Sequence, residues 1–108
     1  MQLRFLGKNT GQGQSPTLYA SDRKTYVLQG WRTDQDGTVE IPHQLLGYLE
    51  WGTFLDSPLS DTGRGTFLVT GNQITDPDTL AQMDIPDHEA GIEIPKGQEI
   101  RPDATARL

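Results

Sequence analysis

Asp84, Asp87, His88 and Glu89 place three carboxylates and one imidazole within six residues. Those are the donor types that a divalent cation or a general acid–base pair would use. A calcium loop wants regularly alternating oxygen ligands and a glycine at its bend, and this run has neither. A zinc site wants more imidazole, and the only other histidine, His43, lies in the opposite half of the chain. Pro86-Asp87-His88-Glu89 therefore reads as a solvated turn between helix and strand. No metal, cofactor or catalytic residue is assigned from it.

A second chemical candidate is the loop Gly7 to Ser15. Gly7-Lys8, Gly11, Gly13 and Ser15 supply backbone N–H groups, a cation and a hydroxyl. A phosphate loop needs glycines before the lysine, Ser or Thr directly after it, and a helix next. Here Asn9 follows Lys8 and Pro16 opens a strand, so the order fails and a flexible hairpin loop is expected. Ser15, Ser21, Ser57 and Ser60 sit beside Pro or Asp in turn-like contexts, not at a nucleophile elbow.

A third set comprises Trp31, Trp51, Arg32 and Arg64, with Tyr19, Tyr26 and Tyr48. Trp, Tyr and Arg anchor many protein interfaces. With 33% hydrophobic residues in the chain, both tryptophans are equally needed to complete a core, and that is the expected place for each. Gln29 shares a strand face with Val27 and Trp31; if buried, it must find hydrogen-bond partners.

The elements that position these groups follow from turn and periodicity signals. Leu3 to Leu6, Pro16 to Ala20, Lys24 to Arg32, Thr38 to Ile41, Arg64 to Gly71 and Ala90 to Ile94 read as strands. Tyr26, Leu28 and Gly30 face one way and Val27, Gln29 and Trp31 the other, which predicts a strand covered on both sides. Asp34-Gln35-Asp36-Gly37 reads as a hairpin turn with Gly37 at positive φ. HQLLGYLEW after Pro42 reads as a helix with Leu45, Leu46, Leu49 and Tyr48 inward, weakened by Gly47. Thr75-Asp76-Pro77-Asp78 reads as a helix start capped by Thr75 or Asp76, which packs Leu80, Met83 and Ala81 inward. Gly52 to Gly63 is expected to be a loop, and Lys96 to Leu108 a fraying polar tail.

Two pieces recur. Thr25-Tyr-Val-Leu-Gln-Gly30 is echoed by Thr66-Phe-Leu-Val-Thr-Gly71, and Val39-Glu-Ile-Pro42 by Ile92-Glu-Ile-Pro95. The first pieces lie 41 residues apart and the glutamates of the second lie 53 apart. The second half thus carries twelve extra residues, holding Asp76 to His88 and most of the acidic cluster. The expected fold is α+β: a small, mainly antiparallel sheet with two short helices and a possible internal pseudo-repeat. Residues 1–96 form one domain, with halves of about 1–55 and 56–96, and residues 97–108 form the tail.

The runs FLGK, SPTLYASD, TYVLQGW, VEIPHQLL and TDPDTLAQMDIPDHEAGIEIP resemble a family of small actinobacterial proteins with no assigned activity. The likeness spans nearly all of residues 3–96. It implies an accessory role near helix-turn-helix regulators and supplies no catalytic residue.

Charge narrows the partner. The net charge is −6; residues 1–55 balance to zero and residues 56–108 carry all of it. That disfavours direct nucleic-acid binding, which draws on clustered Lys and Arg. An acidic half serves solubility or meets a basic partner, such as a DNA-binding regulator. With no cysteine and no long apolar run, disulfides and a membrane span are not expected, and cytoplasmic residence is. The leading expectation is a non-enzymatic protein-binding or regulatory module. Its tentative surface comprises Trp31, Arg32, Trp51, Arg64, Asp84, Asp87, His88 and Glu89. The alternative is a small-ligand or metal-binding protein or enzyme using the Lys8 loop or the Asp84–Glu89 cluster. A homodimer through unpaired sheet edges is a further possibility.

Overall fold

The computed structural model describes residues 1–9 and 15–99. Half of it is strand and the helices are short, so the molecule is sheet-dominated and not clearly α+β. The strands are β1 (Leu3–Lys8), β2 (Thr17–Ser21), β3 (Thr25–Arg32), β4 (Thr38–Pro42), β5 (Thr53–Leu55), β6 (Leu59–Asp61), β7 (Thr66–Thr70), β8 (Asn72–Gln73) and β9 (Glu89–Gln98). His43–Tyr48 is a 3-10 helix and α1 spans Pro77–Leu80.

Both helices fall short of the α-helices read from the sequence. Gly47 and the missing side-chain cap leave the first as a 3-10 turn in which only Leu45 is buried. The second keeps its expected cap: Asp76 accepts from the Thr79 N–H and Pro77 occupies the first turn. Four residues lie far below the ~12–15 that an isolated helix needs, so α1 persists through packing. Thr79 and Met83 point inward, Leu80 is half-buried, and Ala81 faces solvent instead of the core.

All pairings are antiparallel. β3 is the hub: β2 lies along one edge and β9 along the other, and β4 joins through Trp31↔Glu40 and Arg32↔Val39. β4 then pairs with β7, and β7 with β6. The main core lies between the β2–β3–β9 layer and the β4–β7 layer. It holds Leu18, Tyr26, Leu28, Val39, Ile41, Val69, Ile92 and Ile94, closed by Leu45 and Leu55. The opposite face of β3 is also covered, as its two-sided pattern predicts. There Tyr19 and Val27 meet Ile74 and Met83, flanked by Leu80 and Ile85.

Two boundaries differ from the sequence reading. Gly52 to Gly63 contains β5 and β6, three residues each and held by ladder bonds to β9 and β7. The expected tail does not begin at Lys96: β9 runs to Gln98, pairing Thr53↔Gln98 and Leu55↔Lys96. Residues 100–108 of that tail lie outside the described residues, as do Gly11 and Gly13 of the Lys8 loop.

Candidate functional site

The acidic segment after β8 packs across β9 where Gly91 leaves a gap in the sheet's outer face. A Cβ at Gly91 would stand 3.0 Å from Met83 Cε and 3.5 Å from Ile74 and Ile85 side-chain carbons. The result is a cleft of about 470 Å3, lined by Ile74, Leu80, Met83, Ile85 and Ala90 with Arg32, Gln73 and Thr75. A second cleft of about 410 Å3 lies on the other side of Gln73–Thr75, bounded by Arg23, Asp76 and Glu93. Asp76, Asp78, Asp84 and Asp87 of the covering segment are all exposed. Arg32 ties the segment down: its Nε donates to the Asp87 carbonyl at 2.8 Å and its backbone N–H donates to the His88 carbonyl at 2.9 Å.

Beneath this segment lies a buried polar pair. Glu89 is fully buried and Gln29 is 1% exposed. Gln29 Nε2 donates to Glu89 Oε1 at 2.8 Å and also to the Asp84 carbonyl. Gln29 Oε1 and Glu89 Oε2 have no hydrogen-bond partner, and His88 Nε2 is 3.7 Å from Glu89 Oε2. Burial pushes the Glu89 carboxyl above its ordinary range and Asp84 adds to it, while the Gln29 bond and His88 act the other way. The Tyr19 hydroxyl beside them is raised by burial, then by Asp84 and Glu89. The solvated turn read from the sequence thus holds for Asp84, Asp87 and His88, which are exposed. It fails for Glu89, which opens β9 facing inward opposite Trp31.

The remaining expected site residues are scattered. Trp31 is half-buried near the start of β9. Trp51 is 84% exposed, not in the core, and sits beside β5 at the other end of β9. The two tryptophans therefore do not flank one patch. Arg64 lies on the β6–β7 hairpin, bonded to Glu40. Lys8 ends β1, separated from β9 by β2 and β3. His43 stacks on Phe67 with ring centroids 4.1 Å apart, its Nε2 3.1 Å from the Thr66 carbonyl and 3.5 Å from Asp61. Among the described residues no three or more His, Asp and Glu side chains gather to hold a metal ion. No described helix is long and apolar enough to cross a membrane.

No family model, curated protein or solved structure matches this chain.

What the chain can be compared with is itself. β3 pairs with β9 through Thr25↔Pro95, Tyr26↔Ile94, Val27↔Glu93 and Leu28↔Ile92. β7 pairs with β4 through Thr66↔Pro42, Phe67↔Ile41, Leu68↔Glu40 and Val69↔Val39. These are the echoed pieces, each crossing to the other half in the same register. Their side chains repeat too. Thr25 Oγ1 donates to Glu93 at 2.7 Å and Thr66 Oγ1 to Glu40 at 2.6 Å. Arg23 reaches Glu93 at 3.0 Å and Arg64 reaches Glu40 at 3.1 Å. The Arg23 N–H donates to Ser21 Oγ and the Arg64 N–H to Thr62 Oγ1. Lys24 and Gly65, one residue on, share a left-handed φ of 59° and 84°.

The sequence signal for these networks was present but lay upstream of the echo. Ser21-x-Arg23-x-Thr25 and Thr62-x-Arg64-x-Thr66 share a spacing, and a comparison that starts at the threonines omits the arginines. The pairing of Gln29 with Glu89 had a weaker signal: Glu89, Gly91 and Glu93 alternate onto one face, as do Val27, Gln29 and Trp31.

Proposed function

We propose that this chain is a non-enzymatic binding module made of two strand-exchanged copies of one motif, and that it grips a basic segment of another protein in the cleft over Gly91. The cleft carries the reading. Its volume lies in the range of sites that accept one small group, and apolar side chains with a few polar rim groups suit an apolar anchor. Arg32 is the one charged residue of the lining; the exposed Asp76, Asp78, Asp84 and Asp87 stand on the covering segment outside it, where they favour a cationic flank to the apolar anchor and an association rate that falls with salt.

The echo between the halves supports this choice of site. Where the copies agree, at Arg23/Arg64, Thr25/Thr66 and Glu93/Glu40, the contacts hold strands together. Both end in a glycine close to its own half's second piece. A Cβ on Gly30 would meet the Glu40 carbonyl at 2.8 Å, and one on Gly71 the Glu93 carbonyl at 2.6 Å. Where the copies differ, the differences gather in one place. Gln29 corresponds to Thr70, Gly91 to Thr38 and Glu89 to Asp36. Thr38 of the first half and Thr70 of the second join hydroxyls at 2.7 Å, and only a short turn separates β3 from β4. In the second, twelve more residues separate the matching strands and wall the cleft. Function follows the asymmetry.

The enzymatic alternative loses support because Lys8, His43 and His88 stand on separate elements. An acid–base pair works within about 2.6–3.2 Å of its target, directly or through one water. The test is calorimetric titration with a ten-residue peptide of alternating lysine and leucine, against its glutamate–leucine counterpart. The basic peptide is expected to bind, and Asp84→Asn with Asp87→Asn to weaken it by about tenfold or less, as suits rim charges. Equal affinity for both peptides, or none for the basic one, removes the reading.

A further inference from the structure

Among the described residues, two buried side-chain oxygens lack a partner, and they belong to side chains already bonded to each other. Both are acceptors, Gln29 Oε1 and Glu89 Oε2. A proton on Oε2 would give this pair the donor it lacks, because a neutral carboxyl donates through one oxygen and accepts through the other. The reversed orientation of the Gln29 amide is excluded, since it would turn its oxygen toward the Asp84 carbonyl that Nε2 now serves.

We propose that Glu89 and Gln29 form a protonation-controlled latch: the neutral acid closes a two-bond ring with the amide and holds the acidic segment down, and ionisation releases that segment. With Glu89 neutral, Gln29 spends one N–H on Glu89 and the other on the Asp84 carbonyl, and its oxygen accepts from Glu89. The pair is complete. With Glu89 ionised, two buried acceptors are left without a donor, and an unsatisfied buried polar group is costly. A buried carboxylate demands hydration. The group that separates it from solvent is the Asp84–His88 turn, anchored through the same Gln29 amide and through Arg32.

The surroundings favour the neutral form. From β2 the Tyr19 hydroxyl faces the pair, from the covering segment the Asp84 carboxylate, and from the turn itself His88. Arg32 on β3 is engaged with the Asp87 carbonyl. Asp84 opposes ionisation of Glu89, and a protonated His88 assists it. Burial, with Asp84, outweighs the Gln29 bond and His88, so the carboxyl is raised. The sign follows from linkage: a raised acid binds its proton more tightly when folded, so the latch is closed below the unfolded value of 4.5 and is lost as pH rises through the folded value. Between those values each pH unit costs a factor of ~10 in the closed-to-open ratio. The latch stands on this pair alone and not on what the cleft accepts.

Glu89→Gln tests it, because a glutamine there can keep both bonds and cannot ionise. Hydrogen exchange at the Gln82, Met83 and Glu89 amides, corrected for intrinsic rates, is expected to accelerate from pH 5 to pH 8 in the native protein. In the Glu89→Gln protein it should stay flat. Carbon-13 NMR of the native protein adds a readout that needs no variant, with the Glu89 carboxyl midpoint expected above the ordinary carboxylate range. An ordinary or lower midpoint overturns the latch. Matching pH profiles for native and Glu89→Gln protein overturn it as well.

Discussion

Glu40 and Glu93 sit on different strands, 53 residues apart, yet each is held by an arginine and a threonine hydroxyl from the hairpin of the other half. Both networks are partly exposed, which keeps the ion pairs weak: such pairs are worth ~0–1 kcal/mol. The threonine hydroxyls, shielded in the strand ladder, matter at least as much. Thr25→Val and Thr66→Val should each cost about 1 kcal/mol in urea unfolding. The networks share no residue, so the double variant should lose the sum within ~0.5 kcal/mol. A large departure from additivity would mean that the two sites are not independent. Acid titration separates them from Glu89. The Thr66 bond, then Arg64, holds Glu40 below its unfolded value of 4.5. Its stabilisation is present above 4.5 and is lost as pH falls through the lowered folded value. Thr66→Val should therefore lower the melting temperature above pH 4.5 and flatten the acid limb of a thermal-melt series, without changing the slope on the alkaline side of 4.5, where Glu89→Gln should act.

At the level of elements, the close approach of Gly30 and Gly71 to backbone carbonyls explains why both echoed pieces end in glycine. A Cβ there meets main chain, which cannot swing aside as a side chain can. Gly30→Ala and Gly71→Ala should each destabilise by about 1–3 kcal/mol, the usual cost of overpacking. Urea melts should show it as a lower midpoint with an unchanged slope, and a neutral alanine at either site would contradict the crossing. Elements with strong local signals were legible: β3 from its two-faced apolar run, the turn at Asp34-Gln35-Asp36-Gly37, where Gly37 takes a φ of 83°, and the capped helix start from Thr75-Asp76-Pro77. β5 and β6 were not. Leu59–Asp61 is exposed at all three residues, so no apolar alternation marks it, and only its partner β7 makes it a strand. Trp51 misled for a related reason: a large apolar residue signals a core only if the fold brings a surface to it. Glu89 was misread because its burial depends on Gln29, 60 residues away.

At the level of the whole molecule, the halves are continuous in sequence and interleaved in space. A cut between Leu55 and Asp56 leaves β3 without β9, β4 without β7 and β5 without β9. Each fragment would expose a strand edge and half of one core, and a chain of about 50 residues buries too little apolar surface to offset its own ordering entropy. Neither fragment alone should melt cooperatively. An equimolar mixture should recover the cooperative transition, because every ladder broken by the cut joins one fragment to the other. The recovered midpoint should rise with concentration, as association requires. Circular dichroism melts of each fragment and of the mixture decide it. A stable, monomeric first fragment would mean that the halves are separate units placed side by side. The pairings argue for the first result: β3 with β9, β4 with β7 and β5 with β9 form only where both fragments are present.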